Sequence, residues 1–495
     1  MEKCKANRSV AFIILLVFVA GCDRDAQEVS HSDEEFLEQL DQRLPVWMER
    51  YEVPGVSIAI VSSGELTWSD AYGFADLEKR TRMTSETVCR VESISKSVTA
   101  RGVMKLVEKG KIGLDNPVIH HLKSWEFPET DVGAERVTIR HLLSHSSGLP
   151  LGTIGLEYAP GDDKLSLRES LTREVQLVQE PGKSFIYSNV GFNLLELLIE
   201  DVSGQSFADY MKEEILLPLG MQNASYEWRE GFPTAVPNGH NLSGKPVPVY
   251  VYSEKGAGGL FASVEDIARF VSSGMLDQFY YPDSVLTQIS IKELYSPVID
   301  VANIYSLVAD HYGLGHFIET MPNGQIVVFG GGQGNGWMTH FHLVPETGDG
   351  IVILTNSSRS WPLISHILSD WAEWNGLGSV GMGLIAKAIT GFWILIGLIL
   401  TVSFWQMYRI IRNSIKGKRK FDLQIKNYSG VQFVQLAMAV ILISVLIWSL
   451  TREYLMITSV FPGASGWLLS AILIFALVLL MSALITVVDN TLAKT

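Results

Sequence analysis

Three stretches near the C-terminus are long enough and apolar enough to cross a bilayer, and they constrain the chain more than anything else in it. They are 388–408 ("AITGFWILIGLILTVSFWQMY"), 431–450 ("VQFVQLAMAVILISVLIWSL") and 465–487 ("SGWLLSAILIFALVLLMSALITV"). A hydrocarbon core about 30 Å thick needs about 20 apolar helical residues. None of the three carries a charge inside, so they read as an anchor rather than as an ion pathway or proton relay. Trp393, Trp405, Tyr408, Trp448 and Trp467 sit toward their ends, as interfacial aromatics do. Between the first two lie Arg409, Arg412, Lys416, Lys418, Arg419, Lys420 and Lys426 against a single Asp422. The positive-inside rule places that loop in the cytoplasm. The preceding domain is then expected outside, and the C-terminus inside.

The N-terminus points the same way. Lys3, Lys5 and Arg8 precede a short apolar run, Val10 to Ala20, which fits the h-region of a signal peptide over 1–21. Val19-Ala20-Gly21-Cys22 resembles a bacterial lipobox, and by that resemblance Cys22 is the lipidated first mature residue. Asp23 resembles an inner-membrane retention signal. The expected location is the bacterial inner membrane, with the soluble domain in the periplasm or extracytoplasmic space. Residues 22–33 read as a linker, 34–375 as the main domain, 376–387 as a Gly-rich hinge and 388–495 as the membrane region.

Of the three cysteines, Cys4 leaves with the leader, Cys22 is assigned to lipid and Cys89 is left single, so no internal disulfide is expected. Cys89 in "ETVCRV" reads as a small buried hydrophobe on a strand. A net charge of −14 and no basic patch in the central region argue against a nucleic-acid partner.

The main domain mixes two periods. "VSIAIVSSGELTWSDAYG" (56–73) reads as a hairpin turning at Ser-Gly. "KSVTARGVMKLVEKGKI" (96–112) reads as a helix, as do the two halves of 189–221 on either side of Gly204. Another helix starts behind Ser263. Strands return at 325–329, 337–344 and 351–355. Strands at both ends with helices between predict an α+β fold whose sheet draws on both termini.

Chemistry concentrates in "RVESISKSVTA". Ser93 and Lys96 are three apart at a helix start and share a face. A serine hydroxyl needs a base to become a nucleophile. A lysine can be that base only if burial or a neighbouring cation lowers its pKa. "FIYSNVGFNLL" adds Tyr187, whose oxygen can share that proton, and Asn189, whose amide can hold a carbonyl. Each short motif alone is weak.

Together with their surroundings they are not. "VPGVSIAIV", "ISKSVTARGVMKLVEKGKIGLDNPV", "TIRHLLSHSSGLP", "PGKSFIYSNVGFNLLELLIEDVSGQSF", "LLPLGM", "AGGLFASVEDIARF", "YGLG" and "LVPETGDGIVILTN" resemble, in order, the blocks of the serine β-lactamase and penicillin-binding-protein-like hydrolases, in particular their class C-like branch. The resemblance covers most of 45–356. It implies an antiparallel sheet flanked by helices plus an all-helical lobe. It implies Ser93 as acylated nucleophile, Lys96 as its base partner, Tyr187 as second base and Asn189 as a substrate-orienting group. No cofactor and no metal are implied, and the substrate would be a cell-envelope peptide or ester. The alternative is a non-catalytic or slow-turnover penicillin-binding or sensor protein. By the same resemblance "RHLLSHSSGLP", with His141 and His145, is structural, while His120-His121 reads as a surface pair.

The family's third motif, Lys-Thr-Gly or His-Ser/Thr-Gly, falls on "FGGGQGNGW" (329–337). Registered on Gly336-Trp337, it reads Gly330-Gly331-Gly332. Gly332 keeps the motif's glycine, while the cation or imidazole at 330 and the hydroxyl at 331 are missing. The N–H of Gln333 is expected to join that of Ser93 in an oxyanion hole. Gln333, His340 or another side chain are candidates to replace the lost one. A dinucleotide loop would need a helix next, whereas Trp337, Thr339, Phe341 and Leu343 alternate as a strand. Without the cation, substrates bearing a carboxylate lose a partner. Restoring the side chains, Gly330→His with Gly331→Ser, is expected to change substrate preference more than fold.

Overall fold

The computed structural model describes residues 33–129, 133–153, 156–280, 285–417, 419–421, 428–451 and 456–487. The expected leader, Cys22 and, in the basic loop, Lys418, Asp422 and Lys426 lie outside these residues.

The expected α+β architecture is present. Strands β1 (Gly55–Ser62), β2 (Glu65–Asp76), β3 (Thr81–Arg82), β4 (Ile299–Asp300), β5 (His311–Tyr312), β6 (Phe317–Thr320), β7 (Ile326–Gly334), β8 (Trp337–Val344) and β9 (Asp349–Thr355) form one sheet in the order β3-β2-β1-β9-β8-β7-β6-β5-β4. Neighbours run antiparallel, and the two ends of the domain meet where Val56 of β1 faces Thr355 of β9. The β1–β2 hairpin turns at Ser63 and Gly64, with φ of 53° and 79°. Two consecutive positive φ values match the right-handed twist of the flanking strands.

Both faces of the sheet are buried, so its central strands are apolar throughout. Ile58, Ile60, Ile351 and Ile353 pack against α1 (Asp33–Tyr51) and α6 (Trp361–Trp374). Ala59, Val61, Val352 and Leu354 point the other way, toward α2 (Ile94–Glu108), α5 (Val264–Ser272) and the helical lobe. That lobe includes α3 (Ile139–Leu143) and α4 (Asn189–Ser203). Helix α2 runs through the interior, with Lys96 and Arg101 as buried as its valines. Gly102 on α2 is a packing glycine, because a Cβ there would overlap the Met211 sulfur. The starts of α4 and α5 carry side-chain caps, Ser188 onto the Gly191 N–H and a reciprocal Ser263–Asp266 box. Gly204, at φ 75°, ends α4 where the sequence suggested.

Three helices follow that are long and apolar enough to cross a membrane: α7 (Leu384–Ile415), α8 (Gly430–Leu450) and α9 (Pro462–Leu484). The stretch expected as a hinge contains a turn at Gly381–Gly383 and the first residues of α7. It is tied to the domain. Ser365 Oγ on α6 donates to the Met382 carbonyl at 2.8 Å and accepts from the Ala386 N–H at 3.0 Å, and the Gly381 N–H donates to Glu319 at 2.7 Å.

Candidate active site

Ser93 occupies the residue before α2, with φ −67° and ψ −5°, and its hydroxyl makes no capping bond. The Lys96 ammonium donates to Ser93 Oγ at 2.9 Å and to the Ala257 carbonyl at 2.7 Å. It also lies 5.0 Å from the centre of the Tyr187 ring and 5.8 Å from that of Phe192. Lys96 is 1% exposed. Burial brings its pKa down to about 7 against a smaller upward pull from Glu92. Desolvation therefore supplies the lowered lysine pKa that a base role requires, with no neighbouring cation needed.

Tyr187 is half-buried in the extended segment before α4. Burial raises its phenol above the ordinary range, and a hydrogen bond with Ser93 acts in the opposite direction. Its ring is held by Tyr305 at 5.5 Å and by the buried His145 at 4.2 Å. His145 Nδ1 accepts from the Ser188 N–H at 3.1 Å, and its carbonyl accepts from the Ile186 N–H at 2.8 Å. His145 thus grips the backbone on both sides of Tyr187. His141, four residues earlier, forms a capping box with Thr138 at the start of α3. The histidine block is structural here, but part of it positions the tyrosine.

Ser93, Asn189 and Gln333 line one small open cleft, together with Thr153, Asn193 and Glu254. Asn189 opens α4; its N–H donates to the Leu151 carbonyl at 2.9 Å and its side-chain amide to the Thr153 carbonyl at 3.4 Å. Of the predicted residues the structure thus brings Ser93, Asn189 and Gln333 to this cleft, with Lys96 and Tyr187 hydrogen-bonded to Ser93 and Gly332 packed against Val91 just before it.

The glycine run is part of β7 rather than a loop. A Cβ at Gly332 would collide with the Val91 carbonyl and the Thr339 hydroxyl, which are themselves joined at 2.7 Å. Gly332 is thus the point where β7 touches the segment carrying the nucleophile. A Cβ at Gly330 would lie 2.7 Å from the Phe341 ring and 3.1 Å from Ser97 Oγ. Phe341 faces Gly330 across the β7–β8 ladder and is fully buried. The space that a side chain at 330 would enter is filled by the neighbouring strand. Two expectations are corrected. Restoring a histidine at 330 would disturb packing before it altered specificity. Neither Gln333 nor His340 replaces the lost cation. Strand alternation sends them with position 331 toward α6, where Gln333 Oε1 accepts from the Trp361 indole at 2.9 Å and a Cβ at Gly331 would lie 2.9 Å from His340.

Sequence reasoning missed a buried network around the nucleophile. Arg90 and Glu92 pair at 2.8 Å, and both are nearly inaccessible. Tyr250 and Tyr252 donate to the two Glu92 oxygens at 3.0 and 3.1 Å, and Arg90 stacks on both rings. Arg90 also donates to the carbonyls of Tyr250 and Gly258. Glu92 has φ 51°, an uncommon conformation for a non-glycine residue. A buried ion pair adds little net stability, but a fully satisfied network fixes geometry. This one clamps the residues flanking Ser93 to the segment whose Ala257 carbonyl accepts from Lys96. The available signal was the alternation of Tyr250, Tyr252 and Glu254, together with Arg-x-Glu just before Ser93.

An antiparallel sheet, a helical lobe and a serine–lysine pair one turn apart at the head of a buried helix define the penicillin-binding and β-lactamase class of serine hydrolase folds. The chain belongs to the beta-lactamase family, whose model matches residues 36–366. It is 28% identical to protein flp of Staphylococcus aureus (strain N315) over 341 residues, which are 67% of this chain and 65% of that protein. It is 27% identical to penicillin-binding protein 4* of Bacillus subtilis (strain 168) over 307 residues, 57% of this chain and 64% of that one. The match thus spans just under two thirds of these relatives' length. Among solved structures it resembles the octameric penicillin-binding protein homologue from Pyrococcus abyssi, with a TM-score of 0.61 and 28% identity over 72% of this chain and 81% of the other.

Proposed function

We propose that this protein is a membrane-tethered serine hydrolase that works through an acyl-enzyme on Ser93. The observation that carries the reading is the 2.9 Å contact from the Lys96 amine to Ser93 Oγ, made by a lysine whose burial brings its pKa to about 7. Neutral Lys96 takes the hydroxyl proton as Ser93 Oγ attacks a carbonyl carbon. The oxyanion is received by the N–H groups of Ser93 and Gln333. Asn189 orients the acyl group, and Tyr187 relays the proton to the departing alcohol or amine. Water then attacks the ester carbonyl and releases Ser93. The substrate class is an ester or amide of the cell envelope lacking a free carboxylate near the reacting carbonyl. The domain faces the extracytoplasmic side, Cys22 is lipidated and the three spans are the anchor.

An acyl-serine fluorescent probe on the full chain in detergent tests the reading. Labelling of wild type and none of Ser93→Ala is expected; equal labelling of both overturns it. Nitrocefin hydrolysis is expected to be weak or absent. Unchanged lipid-probe labelling of Cys22→Ser would remove the lipoprotein assignment.

A second reading, a slow-turnover binder, is favoured by one observation: the space at position 330 is filled by Phe341, so no cation can stand there. Stoichiometric labelling of Ser93 with no release of product over hours supports it over the hydrolase.

A further inference from the structure

Two of the residues that line the cleft with Ser93 carry buried acceptors without donors. Asn193 and Glu254 line it and are 4% and 7% exposed. Asn193 Oδ1 and Glu254 Oε2 are buried, and neither has a hydrogen-bond partner. Leaving such atoms unpaired in a native interior is costly, more so for a charge, so their presence calls for an explanation. Chain geometry places them together on the substrate side. Asn193 lies one turn after Asn189 on α4, on the same face of that helix. Glu254 continues the alternation of Tyr250 and Tyr252, whose hydroxyls bond Glu92.

The charges around the cleft restrict what can fill it. Its ionisable lining is acidic, Glu92 and Glu254. Glu92 is neutralised by Arg90 and two phenols. Glu254 receives one hydroxyl, from Ser170, on its other oxygen. Lys164 is near enough to feel the Glu254 charge, but its amine donates to the Tyr252 carbonyl at 3.5 Å. Lys255 is paired with Glu227 at 2.7 Å. Glu254 Oε2 and Asn193 Oδ1 therefore remain as two acceptors without donors, set in residues that line this cleft.

We infer that Asn193 and Glu254 form a subsite for a primary ammonium on the acyl side of the substrate, so that the preferred substrates are aminoacyl esters or amides with a free amino group. This rests on the hydrolase reading above and names its substrate class. An ammonium supplies three donors and one positive charge, and a charge-assisted bond to a buried carboxylate is among the stronger polar contacts.

The test has two arms on the full chain in detergent. In the first, Ser93→Ala is titrated by calorimetry with alaninamide, in D and L forms, and with N-acetylalaninamide. Binding of at least one free-amine form at least tenfold tighter than its acetylated partner is expected, with that ratio collapsing toward one in Ser93→Ala/Glu254→Gln and in Ser93→Ala/Asn193→Leu. Equal binding of free and acetylated forms overturns the subsite whether or not the protein turns over. In the second arm, wild type and Glu254→Gln are compared on alanine p-nitrophenyl ester and its N-acetyl analogue. The ratio of their kcat/KM values should fall at least tenfold in the variant; an unchanged ratio overturns the proposal. If both esters are hydrolysed but Ser93→Ala retains the activity, the hydrolase reading fails, while the calorimetric ratio still decides the subsite.

Discussion

Strands β7 and β8 have two faces, and each buries a cluster of titratable groups that looks catalytic on paper. On the α2 side lie Lys96 and the Arg90–Glu92 pair, with their polar bonds made and Ser93 beside them opening on the cleft. On the α6 side lie His340 and His342, hydrogen-bonded to each other at 2.6 Å beneath Trp361 and Trp371. Burial holds His340 down to about 3 and His342 well below the ordinary histidine range. His340 Nδ1 and His342 Nε2 have no partner. The same two strands thus carry a satisfied cluster at an opening and an unsatisfied one in a sealed layer. Which face a residue occupies decides its use more than which functional group it carries.

The comparison breaks most readily on the α2 side. Lys96→Met should keep the packing and lower Ser93 acylation by about 10³-fold, within the usual range for losing a general base. In wild type the acylation rate should rise as pH passes about 7 and level off above, because only the neutral amine accepts the proton. The variant should lack that limb, and probe labelling rates from pH 5 to 9 read both. Tyr187→Phe should lower the rate by about 10²-fold while KM changes little, if its hydroxyl serves proton transfer alone. Gly332→Ala comes next, because its Cβ meets backbone at Val91. Thermal unfolding should show a loss of about 1–3 kcal/mol, as overpacking does, and activity should fall with it. Gly330→His should lower Tm for the same reason, through the Phe341 ring, without creating nitrocefin hydrolysis.

The smallest effect is expected on the α6 side. His340→Leu should leave kcat/KM within about twofold and change stability little, since it removes the unpaired His340 Nδ1 but leaves His342 Nδ1 without its partner. Its clearest signature is in acid. Between about pH 6.5 and 3 the unfolded chain protonates this histidine and the folded chain does not, so stability falls as pH drops through that window. The leucine variant should flatten that slope. A tenfold loss of activity in it would erase the distinction between the faces.

Much of this was legible in the sequence where the signal is local. Ser93 and Lys96 sit within one turn, Tyr187 and Asn189 within three residues, and the hairpin turn and helix caps carry their own chemistry. The membrane-length helices are written in composition alone. What was not legible is what distant segments do to one another. Arg90 meets Tyr250 and Gly258 across about 160 residues of chain, and His145 supports Tyr187 from another segment. Gly330 read as a deletion because Phe341, which fills its place, belongs to the next strand. Asn193 and Glu254 attracted no notice, since an asparagine in an apolar helix and a glutamate in a loop gain meaning only when both are found unpaired in one cleft.

The junction below the domain has a mechanical consequence. Helix α7, at 32 residues, is about 48 Å long at 1.5 Å per residue, against about 30 Å of hydrocarbon in a bilayer. With the apolar stretch at 388–408, only residues 384–387, about 6 Å of helix, stand between it and the domain, and that first turn is stapled to α6 by Ser365. A domain on a slack tether sweeps a hemisphere and meets whatever diffuses through it. With α7 across a bilayer, as proposed above, a domain stapled to its first turn would keep a set height and tilt, so its reach would be a thin slab parallel to the bilayer, and the distance of a bond from the lipid surface would become part of what selects it.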